Sequence, residues 1–217
     1  FLGSACIYPK YADQPIKENS ILSGPLEPTN EPYALAKIAG IKLCETYYKQ
    51  YSDNFISVMP NNLYGQNDNF HPDTSHVIPA LIQKFHNAKV SSNKYVEIWG
   101  TGNPLREFLH VDDLAEAILF IINNVSVEEV YNKGISHINV GSGEELSIHE
   151  LALMIREVIG FRGEIKFDRS KPDGTPRKLL DTTIMNEKGW SPRIRLKDGI
   201  KKLYNYYQSI DFDNNIL

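Results

Sequence analysis

Apolar and polar residues alternate along the chain in short blocks whose period switches between three to four and two. Leu35, Ile38, Ala39, Leu43 and Tyr47 recur at helical spacing and predict a helix over 32–51. Asn30-Glu31-Pro32 supplies its start: a side-chain cap, then Pro in the first turn. The pattern predicts further helices over 77–88, 112–123 and 197–207. Ser147, with Glu150 three residues later, reads as a capping box opening a helix that ends at Ile159. Short apolar runs predict strands over 1–7, 55–59, 95–99, 107–111, 137–140 and 165–167. Residues 8–31 and 61–74 are polar and read as loops, as does the Pro/Gly-rich segment 171–178.

Strands alternating with helices predict a parallel α/β sheet. Such sheets bind ligands at the carboxyl ends of their strands, where the strand order reverses. The segments 3–6, 60–63 and 110–113 are therefore where chemistry is expected.

Composition narrows the function. The chain has 217 residues, enough for one large domain or two small ones, and a net charge of −4. That balance gives no chain-wide field for nucleic acid or an anionic membrane, so an anionic ligand needs a local basic cluster. The longest apolar stretch, 114–122, is interrupted by Glu116 and is about half a membrane span. Two cysteines, Cys6 and Cys44, make no disulfide framework and have no zinc spacing with the histidines, which points to a reducing compartment, the cytoplasm.

Several residues carry candidate chemistry. Tyr33 and Lys37 stand four apart on one helix face. An ammonium beside a phenol favours the phenolate, and such a phenol can protonate an alkoxide as hydride reaches a carbonyl. Ser4 can hydrogen-bond the same oxygen. One Tyr-x-x-x-Lys is expected by chance in a chain of this composition, so the pair alone reads as a packed Tyr and a solvated Lys. Cys6, two residues after Ser4, is a candidate acid or base, and a buried structural Cys is the commoner case. Cys44, in mid-helix, reads as packing. His76 opens a helix and is a candidate proton carrier among six histidines. Lys84, Arg106, Arg177 and Lys178 flank loops; an Arg suits bidentate phosphate contacts, but each alone reads as a solvated surface charge. Gly141-Ser142-Gly143 lacks the third Gly of a dinucleotide fingerprint and reads as a strand-ending turn.

Together these residues are far more specific. The runs 3–9 and 27–37 resemble those of the extended short-chain dehydrogenase/reductases that act on nucleotide sugars. Residues 69–72 (Asn-Phe-His-Pro), 75–80, 106–113 and 171–178 resemble the branch that inverts C3 and C5 of GDP-4-keto-6-deoxy-D-mannose and then reduces C4 with NADPH. The resemblance extends to about residue 207. It implies a Rossmann-type doubly wound sheet joined to a smaller substrate-binding domain. It implies that Ser4, Tyr33 and Lys37 are the reductase triad, and that Cys6 and His76 are the acid/base pair for inversion. It further implies cofactor contacts from Gly3, Ser4, Ala5, Tyr33, Lys37, Pro60, Asn61, Asn62, Leu63 and His76. Lys84, Trp99, Arg106 and Asp173 match positions that hold the GDP-sugar. Ala5 and Lys84 depart from the family's usual Ser and Arg.

The expected cofactor domain is 1–65 with 107–141, and the expected substrate domain is 66–106 with 142–217. The chain opens within a predicted strand and lacks an upstream Gly-rich fingerprint. The resemblance therefore implies that roughly the first hundred residues of such a protein are absent here. It also implies a homodimer, with the helix 32–51 in a four-helix bundle, a GDP-sugar partner, and no role for nucleic acid or membrane. Other nucleotide-sugar enzymes are rivals. A 4,6-dehydratase should carry an acidic residue beside its Ser, where this chain has Cys6, and a 4-epimerase needs no second acid/base pair. A non-catalytic nucleotide-sugar-binding piece is the rival from outside catalysis.

Overall fold

The structure, a computed structural model, describes residues 1–71 and 74–210. In chain order the regular elements are α1 (Glu31–Tyr51), β1 (Val58–Pro60), β2 (Asn62–Tyr64), α2 (Val77–Val90), β3 (Tyr95–Trp99) and β4 (Leu105–His110). There follow α3 (Val111–Asn124), α4 (Val127–Asn132), β5 (Ile138–Val140), β6 (Glu145–Ser147), α5 (Ile148–Ile159) and β7 (Glu164–Asp168). The series ends with β8 (Arg177–Lys178), α6 (Thr183–Glu187) and α7 (Leu196–Ser209). The chain divides into two compact units. The first is Phe1–Leu63, Pro104–Leu146 and Gly174–Arg193, and the second is Tyr64–Asn103, Ser147–Asp173 and Ile194–Leu217. Residues 174–193 group with the first unit, whereas the sequence reading placed all of 142–217 in a second domain.

In the first unit β1 runs parallel to β5, with Val58 opposite Ile138 and Pro60 opposite Val140. Leu2 bridges Val58 in parallel on the other side of β1. A second sheet has the order β2-β4-β6, with β8 parallel to β4. Met185 and Trp190 pack with Val58, Leu114, Ala117, Ile121 and Ile138 in one buried cluster. A second cluster joins Ala5, Ile7 and Met59 to Ile38 and Ile41 of α1. This packing fixes which face of α1 turns inward and leaves Leu35, Leu43, Tyr47 and Tyr51 exposed.

In the second unit β3 and β7 pair in parallel, Tyr95 opposite Glu164 and Trp99 opposite Asp168. Helix α2 packs on β3, α5 packs on α2 and α7 on α5, and Ile82, Phe85, Val96, Ile98, Leu151, Ile155 and Leu203 are buried. The predicted capping box is present: Ser147 Oγ accepts from the Glu150 amide, and the Glu150 carboxylate accepts from the Ser147 amide. Gly160 ends α5 with φ +73°, a conformation that glycine adopts without strain.

The structure corrects the sequence reading in several places. Residues 1–7 are not one strand: pairing stops at Gly3, and Ala5–Ile7 form a single 3-10 turn. The Ser4 hydroxyl accepting from the Cys6 amide competes with continued extension. Asn30 makes no side-chain cap on α1. The short elements β2, β6, β8, α4 and α6 were unforeseen. They are two to six residues long and carry too few positions for a period.

The long polar segment after Tyr8 is tied down by a buried polar network. The Tyr8 hydroxyl donates to Asn139 Oδ1 at 2.5 Å and lies 2.6 Å from His137 Nε2. With that proton committed, His137 must donate through Nε2, and its Nδ1, 3.1 Å away, accepts from Ser136 Oγ. Asn139 Nδ2 donates to the Ile16 carbonyl, and its amide donates to Glu18 Oε1. Burial holds the His137 imidazole neutral and pulls its pKa from 6.5 down to about 3. An unfolded His137 binds a proton near pH 6.5 and the folded one does not until about pH 3. Stability contributed here is therefore complete above pH 6.5 and falls as the pH drops below it. Urea titrations between pH 7.5 and 4.5 should show this His-linked loss, approaching 1.4 kcal/mol per pH unit. His137→Asn should flatten that part of the slope.

Candidate active site

In the first unit, the parallel pairing of Leu2 with Val58 makes two stretches leave the sheet at the same end: 3–6 and 60–63. Gly3 N donates to the Val58 carbonyl at 2.9 Å, and a Cβ on Gly3 would lie 2.0 Å from Met59 Cε. A side chain at position 3 would force the buried Met59 side chain to move. Ala5 is buried behind the turn. Ser4 and Cys6 are half-buried on it.

The Cys6 thiol has two donors that its sequence context did not reveal. Asn30 Nδ2 lies 3.8 Å from Sγ, and Lys178 Nζ lies 3.9 Å from it. The Asn30 side chain is thus turned to the thiol rather than to the helix end. Lys178 was one of four loop-flanking cations in the sequence, and only the β4–β8 pairing, with Arg106 opposite Lys178, places it here.

Tyr33 and Lys37 come together as their spacing requires. The Lys37 ammonium sits 5.5 Å from the Tyr33 ring centre and donates to the Leu2 carbonyl at 2.9 Å. The Tyr33 ring is 49% exposed, so its hydroxyl remains within reach of a ligand.

Pro60 and Asn61 are buried, and Asn62 and Leu63 are half-buried. Asn61 and Asn62 are held by Glu107, whose carboxylate forms no salt bridge among the described residues but has four donors. Oε2 accepts from Asn61 Nδ2, and from the Leu180 amide at 3.1 Å. Oε1 accepts from the Gly143 amide at 2.7 Å and from Ser142 Oγ at 3.5 Å. Asn62 Nδ2 donates to the Glu107 carbonyl at 2.8 Å. Burial pushes the Glu107 carboxyl above the usual range, against those hydrogen bonds. The turn Gly141-Ser142-Gly143 is consequently occupied. Its glycine amide points at a carboxyl group, which is the wrong environment for a phosphate.

The remaining predicted residues divide between the units. Arg106 lies on β4 of the first unit, half-buried, with Nη1 donating to the Leu105 carbonyl. His76, Lys84, Trp99 and Asp173 lie in the second unit. Trp99 ends β3 and is 62% exposed. Lys84 Nζ is 5.3 Å from its ring centre, and Lys171 Nζ, unforeseen in the sequence, is 5.5 Å away. Neither ammonium forms a salt bridge among the described residues, and burial lowers the pKa of Lys84. Asp173 ties the loop after β7 to the loop after β3, accepting from the Thr101 amide and hydroxyl at 2.7 Å each. Lys84 Nζ also donates to the Glu97 carbonyl at 3.1 Å, and the ring with its two ammonium groups forms a platform suited to an anion carrying a flat or apolar group. His76 precedes α2, its side chain 83% exposed, with Nδ1 4.0 Å from Asp68 Oδ1. Pro72, part of a diagnostic run, lies outside the described residues. A mostly apolar groove of about 590 Å³ in the first unit, lined by Phe1, Leu2, Phe55, Ile118 and Ile122 among others, contains none of the candidate residues. Among the described residues no group of His, Cys, Asp or Glu could hold a metal.

A glycine-tight turn carrying Ser and Cys, beside a helix bearing Tyr and Lys, on a parallel α/β scaffold, defines a class. Residues 1–141 match the NAD dependent epimerase/dehydratase family, and the chain belongs to it. The chain is 58% identical over 207 residues to the probable GDP-L-fucose synthase 1 of Oryza sativa subsp. japonica, covering 95% of this chain and 61% of that protein. It is 54% identical over 211 residues to the GDP-L-fucose synthase of Escherichia coli (strain K12), covering 95% and 65%. The fold superposes with a TM-score of 0.86 on a GDP-mannoheptose C4 reductase from Campylobacter jejuni with NADP bound. That protein is 38% identical, with 96% of this chain and 69% of that one covered. The chain thus spans less than two thirds of the length of the curated relatives named here.

Glu107 provides a test of how the first-unit site is held. Glu107→Gln must place an NH2 group where an oxygen accepts two donors. It should lower stability by about 1–3 kcal/mol, read as a fall in the denaturation midpoint. An unchanged midpoint would show that the four hydrogen bonds do not hold the site.

Proposed function

We propose that the protein converts GDP-4-keto-6-deoxy-D-mannose to GDP-L-fucose by inverting C3 and C5 and then reducing C4 with NADPH. The observation that carries the reading is the meeting of Ser4, Cys6, Tyr33 and Lys37 in one unit of a chain 58% identical to a GDP-L-fucose synthase. Gly3–Ala5, 60–63, Tyr33 and Lys37 fit the nicotinamide end of the cofactor, offering amides, a phenol and an ammonium. The occupied 141–143 turn does not fit its phosphates. Bound NADPH supplies the hydride for C4.

The chain's own residues do the rest. The ketone at C4 acidifies the protons on C3 and C5. A base on one face of the sugar removes each proton, leaving its electron pair in the enolate, and an acid on the other face returns a proton to carbon. Cys6 and His76 fill these two roles. Once the stereochemistry is set, Tyr33 gives its proton to the C4 oxygen while Ser4 hydrogen-bonds it. Lys37 supplies positive charge beside the phenol and a donor for the nicotinamide ribose. Lys84, Trp99, Arg106 and Asp173 hold the GDP portion.

The protein works as a homodimer in the cytoplasm. The exposed apolar side of α1 (Leu35, Leu43, Tyr47 and Tyr51) supports an assembly, and no described helix is long and apolar enough to cross a membrane. A second reading, a C4 reductase without epimerase activity, is favoured by the likeness to the Campylobacter jejuni reductase.

The experiment follows NADPH oxidation and, separately, exchange of C3 and C5 protons with deuterated water. It is run on this chain and on a version extended to the relatives' length. Tyr33→Phe should cut reduction by about 10²–10⁴-fold and leave exchange intact. Cys6→Ser and His76→Asn should abolish exchange. If Tyr33→Phe removed both activities together, the division of labour would be wrong. If the Cys6 and His76 variants reduced and exchanged normally, the reductase reading would replace this one.

A further inference from the structure

The loop before α2 contains a carboxylate that the chemistry above does not use. Asn67 adopts a left-handed conformation (φ +66°), and its Oδ1 accepts from the Tyr206 hydroxyl at 2.9 Å. This anchor turns the next residue, Asp68, inward: its side chain is 15% exposed against 83% for His76. The Asp68 amide donates to the Gly65 carbonyl at 3.2 Å, and Oδ1 accepts from the Asn69 amide at 2.8 Å. Oδ2 is buried with no hydrogen-bond partner among the described residues. A carboxylate oxygen in that state is costly, and natural structures leave few without a reason. His76 Nδ1 lies 4.0 Å from Oδ1.

We propose that Asp68 is the positioning residue of His76, holding the imidazole proton on Nδ1 so that Nε2 faces the substrate carbon. The inference rests on the reading of His76 as one of the two proton carriers. The distance exceeds a hydrogen bond, and the exposed imidazole closes it by turning about its own side-chain bonds. Which ring nitrogen carries the proton is set by the partner of the other nitrogen. With Nδ1–H directed at Asp68, the Nε2 lone pair is free to take a proton from a carbon next to the ketone. The C–H bond breaks, its electrons pass into the enolate, and the ring becomes an imidazolium whose charge Asp68 offsets. In the reverse sense Nε2–H gives its proton to the enolate carbon, and the ring returns to neutral. Burial raises the Asp68 carboxyl pKa, and the nearby His76 charge lowers it.

The test needs no turnover. Long-range ¹H–¹⁵N correlation spectra of the chain, with the His76 signal assigned through His76→Asn, report which nitrogen is protonated in the neutral ring. The expected result is an Nδ1–H ring in the native chain, the tautomer mixture of free histidine in Asp68→Asn, and partial return in Asp68→Glu. In the exchange assay Asp68→Asn should slow C3/C5 exchange about tenfold or more with the KM for the GDP-sugar unchanged. A free-histidine mixture in the native chain overturns the proposal whatever the variants do. So does an unchanged exchange rate in Asp68→Asn. An Nδ1–H ring in a native protein that exchanges no substrate protons upholds the pairing and overturns the substrate reading instead.

Discussion

The Glu107 carboxylate accepts from residues 61, 142, 143 and 180, four positions scattered over 120 residues of chain. Each belongs to a segment with its own task. Asn61 continues β1 into the stretch expected to meet the nicotinamide. The 141–143 turn ends β5, and Leu180 follows the strand that brings Lys178 to Cys6. A buried acid without a cation is costly unless donors surround it. Once they do, the segments supplying them are fixed relative to one another. The same logic applies at Tyr8, where a phenol, a neutral imidazole and an amide share protons in one consistent arrangement and hold the chain just beyond Cys6. The first-unit site is thus held by buried polar groups as well as by the apolar clusters flanking it.

Much of this architecture was legible in the residues. Helices α1, α2, α3, α5 and α7 carry enough apolar positions for a period to emerge, and Ser147 with Glu150 announces its helix by chemistry rather than pattern. The strands β2, β6 and β8, two or three residues long, carry no such signal. Their existence depends on partners elsewhere in the chain, as with Arg177–Lys178, which pairs with Leu105 and Arg106. The first seven residues illustrate the reverse error. They look like a buried strand because they are apolar, but the Ser4 hydroxyl captures the Cys6 amide and turns the chain after Gly3.

The site was legible in part. Tyr33 and Lys37 could be paired by helical spacing, whereas their meaning came only with the neighbouring runs. The groups packed around these residues were hidden, because such contacts are a tertiary property. Asn30 looked like a helix cap and serves the thiol. Lys178 looked like a solvated charge, and Asp68 like a loop residue. In each case a polar side chain near a helix or strand end was given the local role its neighbours suggested, and packing assigned a distant one.

The central claim is that one chain carries two kinds of proton chemistry ahead of a single hydride transfer. The most direct measurement is to run the reaction in deuterated water with unlabelled NADPH and locate deuterium on the product sugar. The account predicts solvent deuterium at both C3 and C5 and the NADPH hydrogen at C4. A reduced product with no deuterium on C3 or C5 would contradict it and leave Cys6 and His76 without the roles given to them.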